Sequence, residues 1–144
     1  MALNAGTYEA QIINWLGQEN NAVRYTCADA TAISKGTLMK LTDPVTALRT
    51  TTGYIGISQP VAGIAASDKV AGDGSTTIGC YKGGIWELRM DANAIVNAGD
   101  FVTVSGANNM IVKASAGDVI SGAVLGKALE NGSVNEEIAV LVNC

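Results

Sequence analysis

Histidine is absent from the 144-residue chain. Its absence removes the commonest general base, the base of a serine-protease triad and the commonest metal ligand together. Charge is scarce: Asp, Glu, Lys and Arg make up 15% of residues against roughly 25% in ordinary soluble domains, so the surface must be neutral or hidden against partners. Lys and Arg are scattered singly in a chain of net charge −4, which leaves no basic stripe for phosphates and argues against nucleic-acid binding. No apolar run approaches the roughly 18 residues of a membrane span. The N-terminus also lacks the basic start and apolar run of a signal peptide. The expectation is a soluble chain, made in the cytoplasm, with no membrane partner.

The three cysteines, Cys27, Cys80 and Cys144, are odd in number and far apart, which points to free thiols rather than a disulfide framework or a zinc site. Cys80 has no imidazole to activate it as a nucleophile. The acidic neighbours Glu136 with Glu137 and Asp68 with Asp73 fall on loops or opposite strand faces, as solvated groups do. Asp73-Gly74-Ser75 is followed by Thr, Thr, Ile and Gly, without the alternating acidic ligands of a calcium loop. The glycine-rich stretches 79–84 and 117–126 contain no phosphate-cradling pattern. No catalytic residue, metal or cofactor is expected.

What is present is glycine, 17 residues of it, and a 48% share of hydrophobic side chains, enough for one domain with a real core. Residues 1–24 stand apart: Tyr8, Ile12, Ile13, Trp15 and Leu16 lie among Asn, Gln and Glu without a strand pattern. They read as an arm, either a short helix or an extended segment that orders on contact. An exposed indole forfeits roughly 2 kcal/mol of burial, so Trp15 either folds back or inserts into a neighbour. Trp86, alternating with Ile85 and Leu88, belongs to the body.

Residues 25–144 carry short apolar alternations broken by Gly, Asn and Asp, and the only prolines are Pro44 and Pro60. Strands are predicted at 22–28, 37–41, 54–64, 76–80, 84–90, 101–104, 110–113, 123–129 and 137–142. Lys82-Gly83-Gly84 marks the link between the fourth and fifth as a hairpin. The fold class is all-β, a single-domain barrel or sandwich preceded by an arm.

The chain also repeats itself. Ala32-Ile33-Ser34-Lys35-Gly36 and the strand after it align with Ile95-Val96-Asn97-Ala98-Gly99 and its strand. Tyr54-Ile55-Gly56-Ile57 aligns with Val124-Leu125-Gly126-Lys127, and Thr76-Thr77-Ile78-Gly79-Cys80 with Glu136-Glu137-Ile138-Ala139-Val140. Two related β-units sharing one core are therefore expected. Gly36 and Gly99 would turn the chain into a strand, while Gly56 and Gly126 would permit a bend or close backbone approach.

In order of elements, residues 23–144 resemble the small phage proteins that act as capsid cement, head decoration or head-fibre proteins. The landmarks are Arg24-Tyr25-Thr26, the Ala32 to Gly36 turn, Tyr54-Ile55-Gly56-Ile57, Gly84-Ile85-Trp86-Glu87-Leu88, Ala98-Gly99-Asp100-Phe101-Val102, Leu125-Gly126-Lys127-Ala128 and the closing strand from Glu137. The resemblance implies a homotrimer on the outer surface of the virion capsid, clamping subunits of the major capsid protein, without an active site. The arm and the insertion from Ala65 to Ser75 depart from the plainest relatives. On this reading the arm residues Tyr8, Ile12, Ile13, Trp15 and Leu16 contact capsid or a neighbouring protomer. A tail or head-fibre subunit is the alternative, and a carbohydrate-binding module a more distant one.

Overall fold

A computed structural model describes residues 10–14, 22–42, 50–53, 60–91, 94–105 and 109–144. In chain order the strands are β1 (Gln11–Asn14), β2 (Val23–Thr26), β3 (Leu38–Thr42), β4 (Thr50–Gly53), β5 (Val61–Ala65), β6 (Thr77–Tyr81), β7 (Gly83–Arg89), β8 (Phe101–Val104), β9 (Ile111–Lys113), β10 (Gly126–Ala128) and β11 (Glu137–Asn143), with one short helix, α1 (Ala116–Ser121). Strands β2-β4-β3-β5-β6 close into a barrel, and β1-β7-β11-β10-β8-β9 form a second sheet. A parallel bridge between Met90 and Ile111 links the end of β7 to β9, as Thr26 opposite Thr50 links β2 to β4. The architecture is all-β, and the same five-strand plan occurs twice in tandem.

The equivalence holds residue by residue. An offset of 63 positions (88 − 25, 126 − 63) carries Tyr25 onto Leu88, Leu38 onto Phe101 and Gly63 onto Gly126. From Ile78 onward the offset is 60 (138 − 78), because the first unit has a longer loop before β6. Backbone hydrogen bonds repeat with the same offset. The Gly36 amide donates to Ala65 (2.9 Å) and the Gly99 amide to Ala128 (2.8 Å), while the Ile33–Lys69 exchange (3.0 and 2.7 Å) matches that of Val96 with Gly132 (2.9 and 3.0 Å). Gly36 and Gly99 have φ of 83° and 95°, a region that costs an L side chain 1–2 kcal/mol. The interiors match too. Tyr25, Cys27, Ile33, Met39, Ala62, Ala65, Ile78 and Cys80 fill the first barrel, and their counterparts Leu88, Met90, Val96, Val102, Leu125, Ala128, Ile138 and Val140 all lie in the core of the second unit.

Three expectations require correction. The link between β6 and β7 is not a hairpin: β6 pairs with β2 and β5, β7 pairs with β1 and β11, and the chain passes from one unit to the other through Lys82. Two glycines permit a tight turn but also permit a crossing, and Gly84 with φ 105° serves the crossing. The segment Tyr54-Ile55-Gly56-Ile57, aligned above with Val124-Leu125-Gly126-Lys127, lies outside the described residues. The counterpart of Val124-Leu125-Gly126-Lys127 is Val61-Ala62-Gly63-Ile64, fixed by Leu38 opposite Ile64 and Phe101 opposite Lys127. Both segments read apolar-Gly-apolar, so local pattern alone does not separate them. Finally, nine strands were too few. β1 and the polar Thr-Thr-Thr-Gly of β4 were missed, as was α1, whose Ser115 N-cap and Asp118 form a capping box and whose Gly122 closes the last turn at φ 78°.

The second unit's core reaches across the junction. Leu38, Val61 and Ile64 point out of the first barrel into the cluster that holds Trp86, Val140 and Val142, together with Ala10 just before β1. Asn109 clasps the two units: the Leu38 amide donates to its Oδ1 (2.7 Å) and its Nδ2 donates to the Gly36 carbonyl (2.9 Å). Glycine at 63 and 126 is a packing requirement, since a Cβ at either would overlap a backbone carbonyl oxygen, Tyr81 or Leu141. Gly126→Ala should lower unfolding stability in urea by about 3 kcal/mol. Gly72→Ala, where φ is 73° but the surrounding space is open, should lose only about 1 kcal/mol.

Candidate interaction surfaces

β1 is an added strand. It runs antiparallel along the edge of β7, with Gln11 opposite Glu87 and Ile12 opposite Trp86, and the Ala10 amide donates to the Gly36 carbonyl (3.1 Å). Ala10 is thereby buried, while Ile12 and Ile13 remain 37% and 53% exposed. Of the arm residues singled out by sequence, Ile12 and Ile13 thus stand together on an outer strand. Tyr8, Trp15 and Leu16 lie outside the described residues, as does Gly56. Trp86 is buried, its indole N–H donating to the Gly83 carbonyl (2.9 Å) and its ring 5.8 Å from that of Tyr81. It offers no face for stacking a sugar.

Polar chemistry is committed to the protein's own loops. Lys69 is buried at the base of the insertion. Its Nζ donates to the carbonyls of Asp29 (2.7 Å), Val70 (3.2 Å) and Thr31 (3.4 Å), and it lies 3.5 Å from Asp73 and 3.7 Å from Asp29. Asp29 in turn accepts from the Gly74 amide (2.8 Å), and Asp73 from the Ser75 amide (2.9 Å). A buried ammonium satisfied in this way ties residues 29–31 to 69–75. Its counterpart, Gly132, needs no such clasp because the second unit lacks the longer loop. Sequence reading missed Lys69, although a lone Lys four residues before Asp73 in a loop was the available signal.

The thiols are free and held inert. Burial pushes Cys80 up to about 12 and Cys144 up to about 11, and Cys27 is raised for the same reason. Among the described residues no group of three His, Cys, Asp or Glu side chains gathers as a metal site, and no helix is long and apolar enough to cross a membrane.

Two further surface features belong to the second unit. On the outward side of β7 and β11, the carboxyl of Glu87 is raised because its protonated form donates a hydrogen bond to Glu137, with desolvation and the charges of Glu137 and Glu130 adding to it, while Arg89 lies 3.6 Å from Glu137. Large apolar side chains are also exposed there: Phe101 and Leu129 at 45% and 43%, Val119 and Ile120 at 47% and 88%. Strand alternation marks Phe101 as facing away from Val102, but sequence alone did not show which of the two faces is covered.

A fold of two repeated β-units, with Lys69 and its aspartates spent on a loop clasp and, among the described residues, apolar side chains exposed on strands and on α1, has the form of an interaction module. The chain belongs to the phage cement protein family, which it matches over residues 17–143. Its fold is similar to the crystal structure of the head fiber gp8.5 N base in bacteriophage phi29, with a TM-score of 0.51 and 15% identity over 85% of this chain and 93% of that one. No curated protein matches it. It is a capsid-associated structural protein of a bacteriophage.

Lys69→Met should cost about 2 kcal/mol, because three carbonyls lose a charged donor, and should speed proteolysis within residues 69–75. The pH dependence separates two kinds of carboxyl. Backbone donors, the Lys35, Ser75 and Asn97 amides, hold Asp68, Asp73 and Asp100 below their usual 3.8. Their contribution is therefore present above the unfolded value and lost as pH falls through the folded ones. Glu87 is raised above 4.5, so its contribution is present at low pH and lost as pH rises. Glu87→Gln should accordingly raise the Tm at pH 7 and leave it unchanged at pH 3.5.

Proposed function

We propose that this chain is a capsid decoration protein that binds the outer surface of the assembled phage shell as a homotrimer and stabilises it by bridging subunits of the major capsid protein, without catalysis. The observation that carries this reading is the family match across nearly all of the two-unit fold. The physical logic is linkage: a ligand that binds only the assembled, expanded lattice stabilises that lattice, and many copies add their contacts through the shell. On this reading the arm makes the capsid contact. Ile12 and Ile13, exposed on an outer strand, are its described apolar residues, with Tyr8, Trp15 and Leu16 flanking them in sequence. The protein acts on the virion exterior after synthesis in the host cytoplasm.

The likeness to a head fiber base supports a second reading, in which the two-unit module is the foot of a fibre. Cryo-electron microscopy of undecorated expanded capsids mixed with the purified protein separates the two. Density at every three-fold and quasi-three-fold position is expected, and density confined to a few fibre sites would favour the second reading. Because β1 is hydrogen-bonded to β7, removing residues 2–20 would also bare the edge of β7, so the arm is tested by substitution. Ile13→Asp should leave the Tm within about 1 °C, as exposed positions do, and should reduce capsid occupancy at least tenfold. Full occupancy by this variant would sink the assignment of the capsid contact to β1.

A further inference from the structure

The two units have the same fold and different surroundings. On the first, a row of outward side chains crosses β3, β5 and β6: Leu38 opposite Ile64, and Ile64 opposite Tyr81. Leu38 and Ile64 have no exposed surface because the second unit covers them, and Tyr81 packs against the same cluster. Gly36, beside them, is buried, its carbonyl accepting from Ala10 and Asn109. The counterpart row on the second unit crosses β8, β10 and β11: Phe101 opposite Lys127, and Lys127 opposite Leu141. Here, among the described residues, the face stays open. Phe101 is 45% exposed, Leu129, two residues after Lys127, is 43% exposed, and Gly99 is exposed where Gly36 is buried. The ammonium of Lys127 lies 5.4 Å from the centre of the Phe101 ring, within the range of a cation–π contact.

The asymmetry is reciprocal. The second unit receives the first at Trp86 on β7, 4% exposed, with β1 laid along the same edge. Its counterpart in the first unit is Val23 on β2, 42% exposed. β6 pairs with one side of β2 at Val23 and Arg24, but among the described residues nothing pairs with the opposite side there, since β4 meets β2 only at Thr26. Each chain therefore has one joined contact between its units and the two separated halves of a second: a donor face around Phe101 and a receiving edge around Val23.

We infer that these halves meet between copies: the Phe101–Lys127–Leu141 face of one chain packs on the Val23 edge of the next, repeating the contact that joins the two units within a chain. The contact is heterologous, and such contacts close into rings when the rotation allows. Three chains would place six units around one axis. The inference deepens the self-association part of the proposed function and names its surface.

Sedimentation of the full chain at micromolar concentration tests it, with Phe101→Glu and Val23→Glu as variants on opposite sides of the contact. Both positions are exposed, so both variants should keep the parent far-UV circular dichroism and Tm. The parent should sediment as one closed oligomer, and each variant alone as a monomer at the same concentration. A monomeric parent would overturn the inference, as would a folded variant of either kind that kept the parent's mass. If only Phe101→Glu dissociated, the face would be pairing with itself and the head-to-tail arrangement would fail. The experiment contains no capsid, so its failure leaves capsid decoration standing, and failure of decoration leaves the sedimentation result standing.

Discussion

Burial of Leu38 and Ile64 against the second unit is the contact on which the rest of the molecule depends. Among the described residues, eight buried side chains fill the first barrel, and four of them are Ala or Cys, smaller than a leucine. Apolar burial is worth roughly 25 cal/mol per Å², so an interior of that size is a thin defence against the chain entropy of some 60 residues. Pushing the outward row of β3 and β5 into the neighbouring unit converts what would be exposed apolar surface into shared core. The Asn109 clasp then fixes the angle, because its amide satisfies the Leu38 N–H and the Gly36 carbonyl at the junction.

Duplication also imposes a limit. Two identical units related by translation and rotation cannot both be covered by a single contact between them, so one donor face and one receiving edge always remain. The second unit has answered partly by substitution: Ile64 has become Lys127, whose ammonium keeps water at a face that still carries Phe101. The first unit keeps Val23 where the second has Trp86 with β1 beside it. Capsid lattices supply many equivalent positions, and a module with unsatisfied ends suits a surface where each copy meets the next.

The loops show where polar groups were used. Lys69 is buried among carbonyls in the longer loop of the first unit, and the corresponding Gly132 turns directly into contact range of Ile138. The same strand plan thus tolerates loops of different length because the bridge at Ile33 or Val96 fixes the loop base in both. Depressed aspartates sit at amide-rich turns and the raised Glu87 sits beside Glu137, so the acidic surface is divided between groups that anchor turns and a pair that repels.

By itself the sequence determined the all-β class, most strand positions, the turns at Gly36 and Gly99 and the equivalence of Ile78 and Ile138 in the two repeats. Each of these follows from local alternation and from residues that tolerate positive φ. It also carried the family resemblance, through the order of short segments rather than any one motif. Tertiary structure alone decided that Lys82 leads from one unit into another, since a Gly-Gly link has no preference between turning back and crossing over. It alone decided that Val61-Ala62-Gly63-Ile64 pairs with β3, because a second apolar-Gly-apolar segment lay nearby with the same pattern. And it alone decided which outward face is covered: a period of two separates the faces of a strand, but which face meets a neighbour depends on what the rest of the chain places there.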